Sequence, residues 1–191
     1  MTKGRLEAFS DGVIAILITI MVLELKVPHG SDWHALRPLL PVFLTYVLSF
    51  IFLGIYWNNH HHMLHATARI NGRILWANMH LLFWLSLVPV TTGWMGESGL
   101  ESAPTALYGA VLLLSAIAYT ILQHEIIVCE GRQSKLAQAV GQTGKEKISA
   151  GLYVAAVPLA LASPTLSVLI YVLVAAIWLV PDRRIEGLLR D

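Results

Sequence analysis

Charge is scarce in this chain: only 13% of its 191 residues are Asp, Glu, Lys or Arg, against about 25% in a soluble domain. Too little polar surface remains to cover a water-soluble globule, and 56% of the residues are hydrophobic with a mean hydropathy of +0.65. The bilayer is therefore the expected solvent. Cysteine is nearly absent as well. The single Cys129 excludes an internal disulfide, and its place in an expected loop after the fourth span reads as an inert thiol. Net charge is only +1, with no basic tail and no interleaving of basic and aromatic residues, which excludes a nucleic-acid surface.

Catalytic motifs are lacking too. There is no nucleophile elbow, no phosphate loop and no pair of carboxylates facing a common cavity, so an enzyme is not expected. Internal repeats and low-complexity tracts are absent. The first apolar run follows Met1, Lys3 and Arg5 but contains Asp11 and leads to no small-residue cleavage site, so it reads as a retained helix rather than a signal peptide. The ends, Met-Thr-Lys and Leu-Arg-Asp, carry no lipidation motif.

What the chain does have is apolar runs of spanning length. A helix needs about 20 apolar residues to cross the hydrocarbon core, and six stretches qualify, at roughly 6–27, 38–58, 73–95, 105–128, 146–163 and 165–181. The last two are short, divided by Ala162-Ser163-Pro164-Thr165, and a re-entrant hairpin is the alternative there. Pro28, Pro38, Pro104, Pro164 and Pro181 fall at or next to ends, where a missing N–H costs little. Pro89 and Pro158 fall inside spans, where kinks are expected. The loop at about 129–145 is too short and polar for a soluble core, so residues 1–191 read as one all-α, six-helix transmembrane domain.

Basic residues set the orientation. With the N-terminus inside, the cytoplasmic side holds Lys3, Arg5, Arg69, Arg73, Arg132, Lys135, Lys145, Lys147, Arg183, Arg184 and Arg190. The other side holds only Lys26 and Arg37, with Asp32, Glu97 and Glu101. Six helices with both termini cytoplasmic follow. Trp33, Trp57, Trp76 and Trp94 fall near the expected interfaces, whereas Trp84 and Trp178 lie deeper and should pack between helices.

The first helix is two-faced. At about 100° per residue, Arg5, Phe9, Gly12, Ile16, Ile20 and Leu23 share a stripe about 80° wide, with Thr19 on its border. Glu7, Ser10 and Asp11 lie roughly opposite. Charges at membrane depth cost a few kcal/mol even on lenient scales, roughly 2.5–3.5 each, so they face protein or water. Glu7 and Asp11, four apart, should point together into neighbouring helices. The apolar stripe either touches lipid or lines a symmetry axis, and periodicity alone does not choose.

The run His60-His61-His62-Met63-Leu64-His65 raises three alternatives. His61 and His65, four apart, suit a metal on one helical face, yet a third and fourth ligand are missing beyond the remote Cys129 and Glu130. In the plainer reading His60 and His61 join a polar network while His62 and His65 are solvated, and no metal is held. Imidazoles titrate near neutrality, so proton modulation or proton conduction is the third. His124-Glu125 reads as an interfacial pair. A secondary transporter would call for broken helices paired between two halves, and Pro89 and Pro158 make no such pair.

Three segments in order carry a family resemblance. Arg5-Leu6-Glu7-Ala8-Phe9-Ser10-Asp11 resembles the R-x-x-x-F-S-D signature that opens the first helix of the transmembrane protein 175 family of potassium channels, and Gly12-Val13-Ile14-Ala15-Ile16 and Leu23-Glu24-Leu25 continue it. Tyr56-Trp57-Asn58-Asn59-His60-His61 resembles the family's aromatic-Trp-x-x-His-His pattern. Asn78-Met79-His80-Leu81-Leu82-Phe83-Trp84 with Ser86-Leu87-Val88-Pro89 is similar to its third helix. Met63 stands where a larger apolar residue is usual. The likeness is strong over the first half and elsewhere rests on helix count and length.

The resemblance implies a channel without a T-V-G-Y-G carbonyl filter, and that motif is absent here. One copy of the signature implies the prokaryotic form, a homotetramer in the cell membrane whose pore is lined by the first helix. Ile16, Ile20 and Leu23 would then form apolar rings and Thr19 a ring of hydroxyls. Such a constriction passes K⁺ and Cs⁺ more readily than Na⁺, with no cofactor beyond the permeant ions. Arg5, Phe9, Ser10 and Asp11, with Trp57 and His60 or His61, would form an Asp–His–Arg cluster that locks the helix without binding ions.

Overall fold

The structure, a computed structural model, describes residues 2–131, 133–140 and 144–179. Arg132, Pro181, Arg183, Arg184 and Arg190 lie outside the described residues, as does the end of the last expected span. Every regular element among the described residues is helical.

Helix α1 is Lys3–Leu23 and ends short of Lys26. A 3₁₀ segment, Trp33–Leu39, begins where the Asp32 carboxylate accepts the Ala35 N–H, and it runs directly into α2, Leu40–His65, with proline in its first turn. Helix α3, Gly72–Ser86, starts at an Asn71 cap whose Oδ1 accepts the Ile74 N–H at 3.0 Å. Helix α4, Val88–Glu97, continues the same pass after a break at Leu87. Pro89, which lacks an N–H, sits in the first turn of α4, so the expected kink is a full interruption of the helix.

Helix α5 is Ser102–Glu130, followed by the short α6 (Lys135–Val140), α7 (Lys145–Leu159) and α8 (Pro164–Leu179). Helix α5 outlasts the expected span because nothing in His124–Glu130 breaks it before Gly131, whose φ of +97° lies in the region open to glycine. Cys129 therefore occupies the last turn of a helix and not a loop. Pro158 lies inside α7, one residue from its end.

Among the described residues, four segments are long and apolar enough to cross a membrane: Lys3–Leu23, Trp33–His65, Gly72–Glu97 and Ser102–Glu130. Helix α8, with 16 residues, is apolar but shorter. Leu53, Leu64, Ile74, Leu81, Leu85 and Met95 are fully buried at the centre of the bundle, while Trp76, Phe83, Leu44 and Leu169 stand outside. An apolar interior wrapped in an apolar exterior is what hydrocarbon solvent permits and water does not.

Two glycines let helices approach closely. A Cβ on Gly96 would lie 2.6 Å from Thr45 Oγ1 and 2.8 Å from Val42 Cα, so α4 lies directly against α2. A Cβ on Gly109 of α5 would collide with the Tyr171 ring and hydroxyl of α8. Trp84 and Trp178 are half-buried, as expected of the deeper pair. Their indoles donate to His80 Nε2 and to Ser149 Oγ, each at 2.8 Å.

Candidate pore helix and its polar lock

Helix α1 is buried on one side only. Leu6, Ser10, Ile14, Leu17 and Met21, spaced by three and four, face the bundle. The opposite side is exposed among the described residues: Ile16 is 56%, Ile20 40%, Leu23 81% and Phe9 46% exposed. Thr19 and Arg5 are exposed beside them. Leu23 is the last residue of the helix. The Thr19 hydroxyl donates to the Ile16 carbonyl at 2.9 Å, so its exposed oxygen is left as an acceptor.

The polar residues of α1 bind α2 at matched intervals. Glu7 Oε1 pairs with His61 Nδ1 at 3.0 Å, and Asp11 Oδ1 accepts the Trp57 indole N–H at 3.0 Å. Residues 7 and 11 rise one turn along α1 while 61 and 57 descend one turn along α2, so the two bonds are successive rungs between antiparallel helices. Rings of Trp57, His61 and His65 stack along α2 with centroids 6.1 Å apart at each step. Below this ladder Lys3 Nζ donates to the His65 carbonyl at 2.8 Å.

A second link runs deeper. Ser10 Oγ donates to the Leu6 carbonyl at 2.9 Å, so it accepts from Asn78 Nδ2 at 3.0 Å. The Asn78 amide is thereby oriented, and its Oδ1 faces His60 Nε2 at 2.7 Å, which must donate. Nε2 of His60 therefore carries a proton, which in the neutral ring leaves Nδ1 without one. The buried Nδ1 then lacks a partner as a bare acceptor, a milder penalty than an orphaned N–H. Ser10, His60 and Asn78 are all fully buried.

The cluster thus divides the expected residues into two sets. Asp11, Trp57, Glu7 and His61 form the outer ladder, and Ser10 and His60 meet through Asn78. Arg5 joins neither: its side chain makes no hydrogen bond or ion pair among the described residues. Asn78 is the residue that sequence reasoning passed over, although a carboxamide within an apolar span carries the same signal as a buried charge. Among the described residues no group of three or more His, Cys, Asp or Glu side chains is placed to hold a metal. Instead, His60 is bound by Asn78 and His61 by Glu7.

At the far end of α1 the chain is held differently. Lys26 Nζ meets Glu97 Oε1 of α4 at 2.6 Å, both side chains being largely solvated. The hydrogen bond and the negative charge of Glu97 hold the Lys26 ammonium above its ordinary value. Glu130 Oε1 accepts the N–H groups of Ala68 and Arg69, at 3.0 and 2.8 Å, and Arg73 Nε pairs with Glu125 Oε2 at 2.9 Å, joining the α2–α3 turn to α5.

This geometry has known counterparts. A family model described as the endosomal/lysosomal potassium channel TMEM175 matches residues 5–89, the segment that contains α1 from Arg5 onward, its ladder on α2 and Asn78. A potassium channel from Chryseobacterium sp. is 58% identical over 191 residues, covering 100% of both chains. Another from Streptomyces collinus is 33% identical over 88% of this chain and 91% of its own. The crystal structure of a lysosomal potassium-selective channel TMEM175 homolog from Chamaesiphon minutus has a TM-score of 0.81 at 30% identity, covering 92% of this chain and 95% of that one. From likeness along its whole length in both sequence and fold, the chain belongs to the TMEM175 family of potassium channels, as a multi-pass membrane channel protein and not an enzyme.

Proposed function

We propose that four copies of this chain, each crossing the cell membrane six times with both termini cytoplasmic, surround a cation pore lined by α1. Residues 1–191 act as one six-helix transmembrane domain in this reading. The observation that carries it is the bare stripe of α1: apolar, continuous over Phe9, Ile16, Ile20 and Leu23, and interrupted by a single hydroxyl at Thr19. The buried face and its polar ladder hold that stripe at a fixed rotation. Ile16, Ile20 and Leu23 then form stacked apolar rings, and Ser10, Asp11, Trp57, His60 and His61 are scaffold rather than ion ligands, with Arg5 and Phe9 at the cytoplasmic mouth.

Apolar rings offer an ion nothing in exchange for its hydration shell, so they act by dewetting and by the cost of stripping water. Large, weakly hydrated cations lose water more cheaply, which orders Cs⁺ and K⁺ ahead of Na⁺ with modest discrimination. The Thr19 oxygen supports a contribution of its own, since its proton is committed to Ile16 and its lone pairs are free to meet a cation. No cofactor is needed. Bilayer recording of purified protein under K⁺/Na⁺ bi-ionic conditions tests the reading through the reversal potential, and light scattering in detergent gives the subunit number. Ile16→Asn is expected to raise unitary conductance and move the reversal potential toward zero. An unchanged K⁺ preference in that variant removes Ile16 from the filter.

A further inference from the structure

On the part of the bundle to which α1 contributes nothing, α2, α5, α7 and α8 enclose a cavity of about 390 Å³, the size of a small-ligand site. Its depth is walled by Phe52, Ile55 and Tyr153. Its outer edge runs along Ile117 and Ile121 of α5, both exposed at 43% and 40%, so it opens sideways out of the bundle. Its charged lining residues, Glu146 and Lys147, stand together in the first turn of α7. Trp178 stands at that same level near the end of α8, its indole held by Ser149. Gln123 Nε2 donates to Glu146 Oε1 at 3.0 Å and holds the carboxylate in place.

We propose that this cavity is a phospholipid site in which an acyl chain fills the apolar depth and an ethanolamine headgroup spans Glu146 and Lys147. An apolar void does not retain water, and one that opens sideways in a membrane protein meets lipid tails first. Charge complementarity selects the head: Lys147 supplies a cation for the phosphate, and beside it Glu146 supplies an anion for the ammonium. A phosphatidylglycerol head would set its polyol against Glu146 with no cation to offer. A choline head carries the cation but has no N–H to donate. The site is independent of how ions pass along α1.

The test is native mass spectrometry of the full-length, delipidated protein titrated separately with dioleoyl phosphatidylethanolamine, phosphatidylglycerol and phosphatidylcholine. The ethanolamine lipid is expected to bind about tenfold more tightly than the glycerol lipid, the effect of one charge-assisted hydrogen bond. Glu146→Gln should erase its advantage over the choline lipid, and Lys147→Gln should weaken all three alike. Both variants alter the rim and leave the core untouched. Equal retention of the three lipids by the natural chain, or an ethanolamine preference that survives Glu146→Gln, overturns the proposal. Benzoylphenylalanine placed at Ile117, in vesicles of equal phosphatidylethanolamine and phosphatidylglycerol, gives a second reading. An adduct with the ethanolamine lipid supports the site. An adduct with residues 180–191 or with a second copy of the chain shows a protein occupant and overturns it.

Discussion

The α1–α3 side of the bundle and the α5–α8 side are held together by different chemistry. On the first side, α1 meets its neighbours through directional bonds: Glu7 to His61, Asp11 to Trp57, and Ser10 through Asn78 to His60. On the second, Tyr108, Tyr153 and Tyr171 are buried in a column with ring centroids 5.7 and 6.2 Å apart. Their bonding is sparse and uncharged, Tyr171 donating to the Thr105 carbonyl at 3.2 Å. Ring packing fills volume and tolerates a few degrees of rotation, whereas a hydrogen bond weakens steeply once its angle is lost. The contrast teaches that α1 is tied to its neighbours by a ladder of directional bonds, whereas the tyrosine column between α5, α7 and α8 chiefly fills volume.

The largest expected effect falls on the packed side. Gly109→Val drives two methyl groups into the Tyr171 ring and should destabilise the protein by about 3 kcal/mol, read as lost monodisperse yield and a lower melting temperature in detergent. Tyr171→Ala in the same chain should restore part of the loss, and a failure to do so would separate the two residues. Next comes Asn78→Leu, which strands the buried His60 Nε2–H and cuts its link to Ser10, and should cost about 2 kcal/mol. Unlike Gly109→Val, it should also broaden the spread of unitary conductances, because α1 is freed to turn. A uniform conductance in surviving channels would mean that the deep link does not set rotation.

Asp11→Ala removes a partly solvated bond and should lower stability by about 1 kcal/mol. Tetramer yield should fall while the bi-ionic reversal potential stays put, and the reverse pattern would move Asp11 from scaffold to filter. The smallest effect is at the far end of α1. Lys26→Gln breaks a pair whose side chains are 71% and 55% exposed, so no resolvable melting shift is expected. A clear shift would show that both ends of α1 are pinned with comparable strength.

Much of this was legible beforehand, and for local reasons. Helical periodicity placed Glu7, Ser10 and Asp11 opposite the Ile16–Leu23 stripe, because both faces are set by one helix's own turn. It also required the two carboxylates to point the same way, as they do toward α2. Which histidine each polar residue meets was not legible, since it depends on how far α1 slides along α2 and on where α3 lies. The choice of His61 for Glu7 and of His60 for Asn78 is tertiary information. The break at Leu87 and the helical setting of Cys129 were misjudged because a proline's position in a turn, and the reach of a helix to Gly131, are decided within one or two residues.

The stacked column Trp57, His61, His65 gives α2 a donor at every turn facing α1. If α1 slipped lengthwise by a turn toward the end of α2, Glu7 would come opposite His65 and Asp11 opposite His61, so the carboxylates by themselves are indifferent between two notches. The carboxamide of Asn78 has no second serine one turn from Ser10, where Gly12, Val13 and Ile14 follow. A single amide therefore removes a degeneracy that two ion-bearing side chains leave in place. Disulfide trapping between cysteines at positions 7 and 65 should succeed in the Asn78→Leu background and fail in its absence.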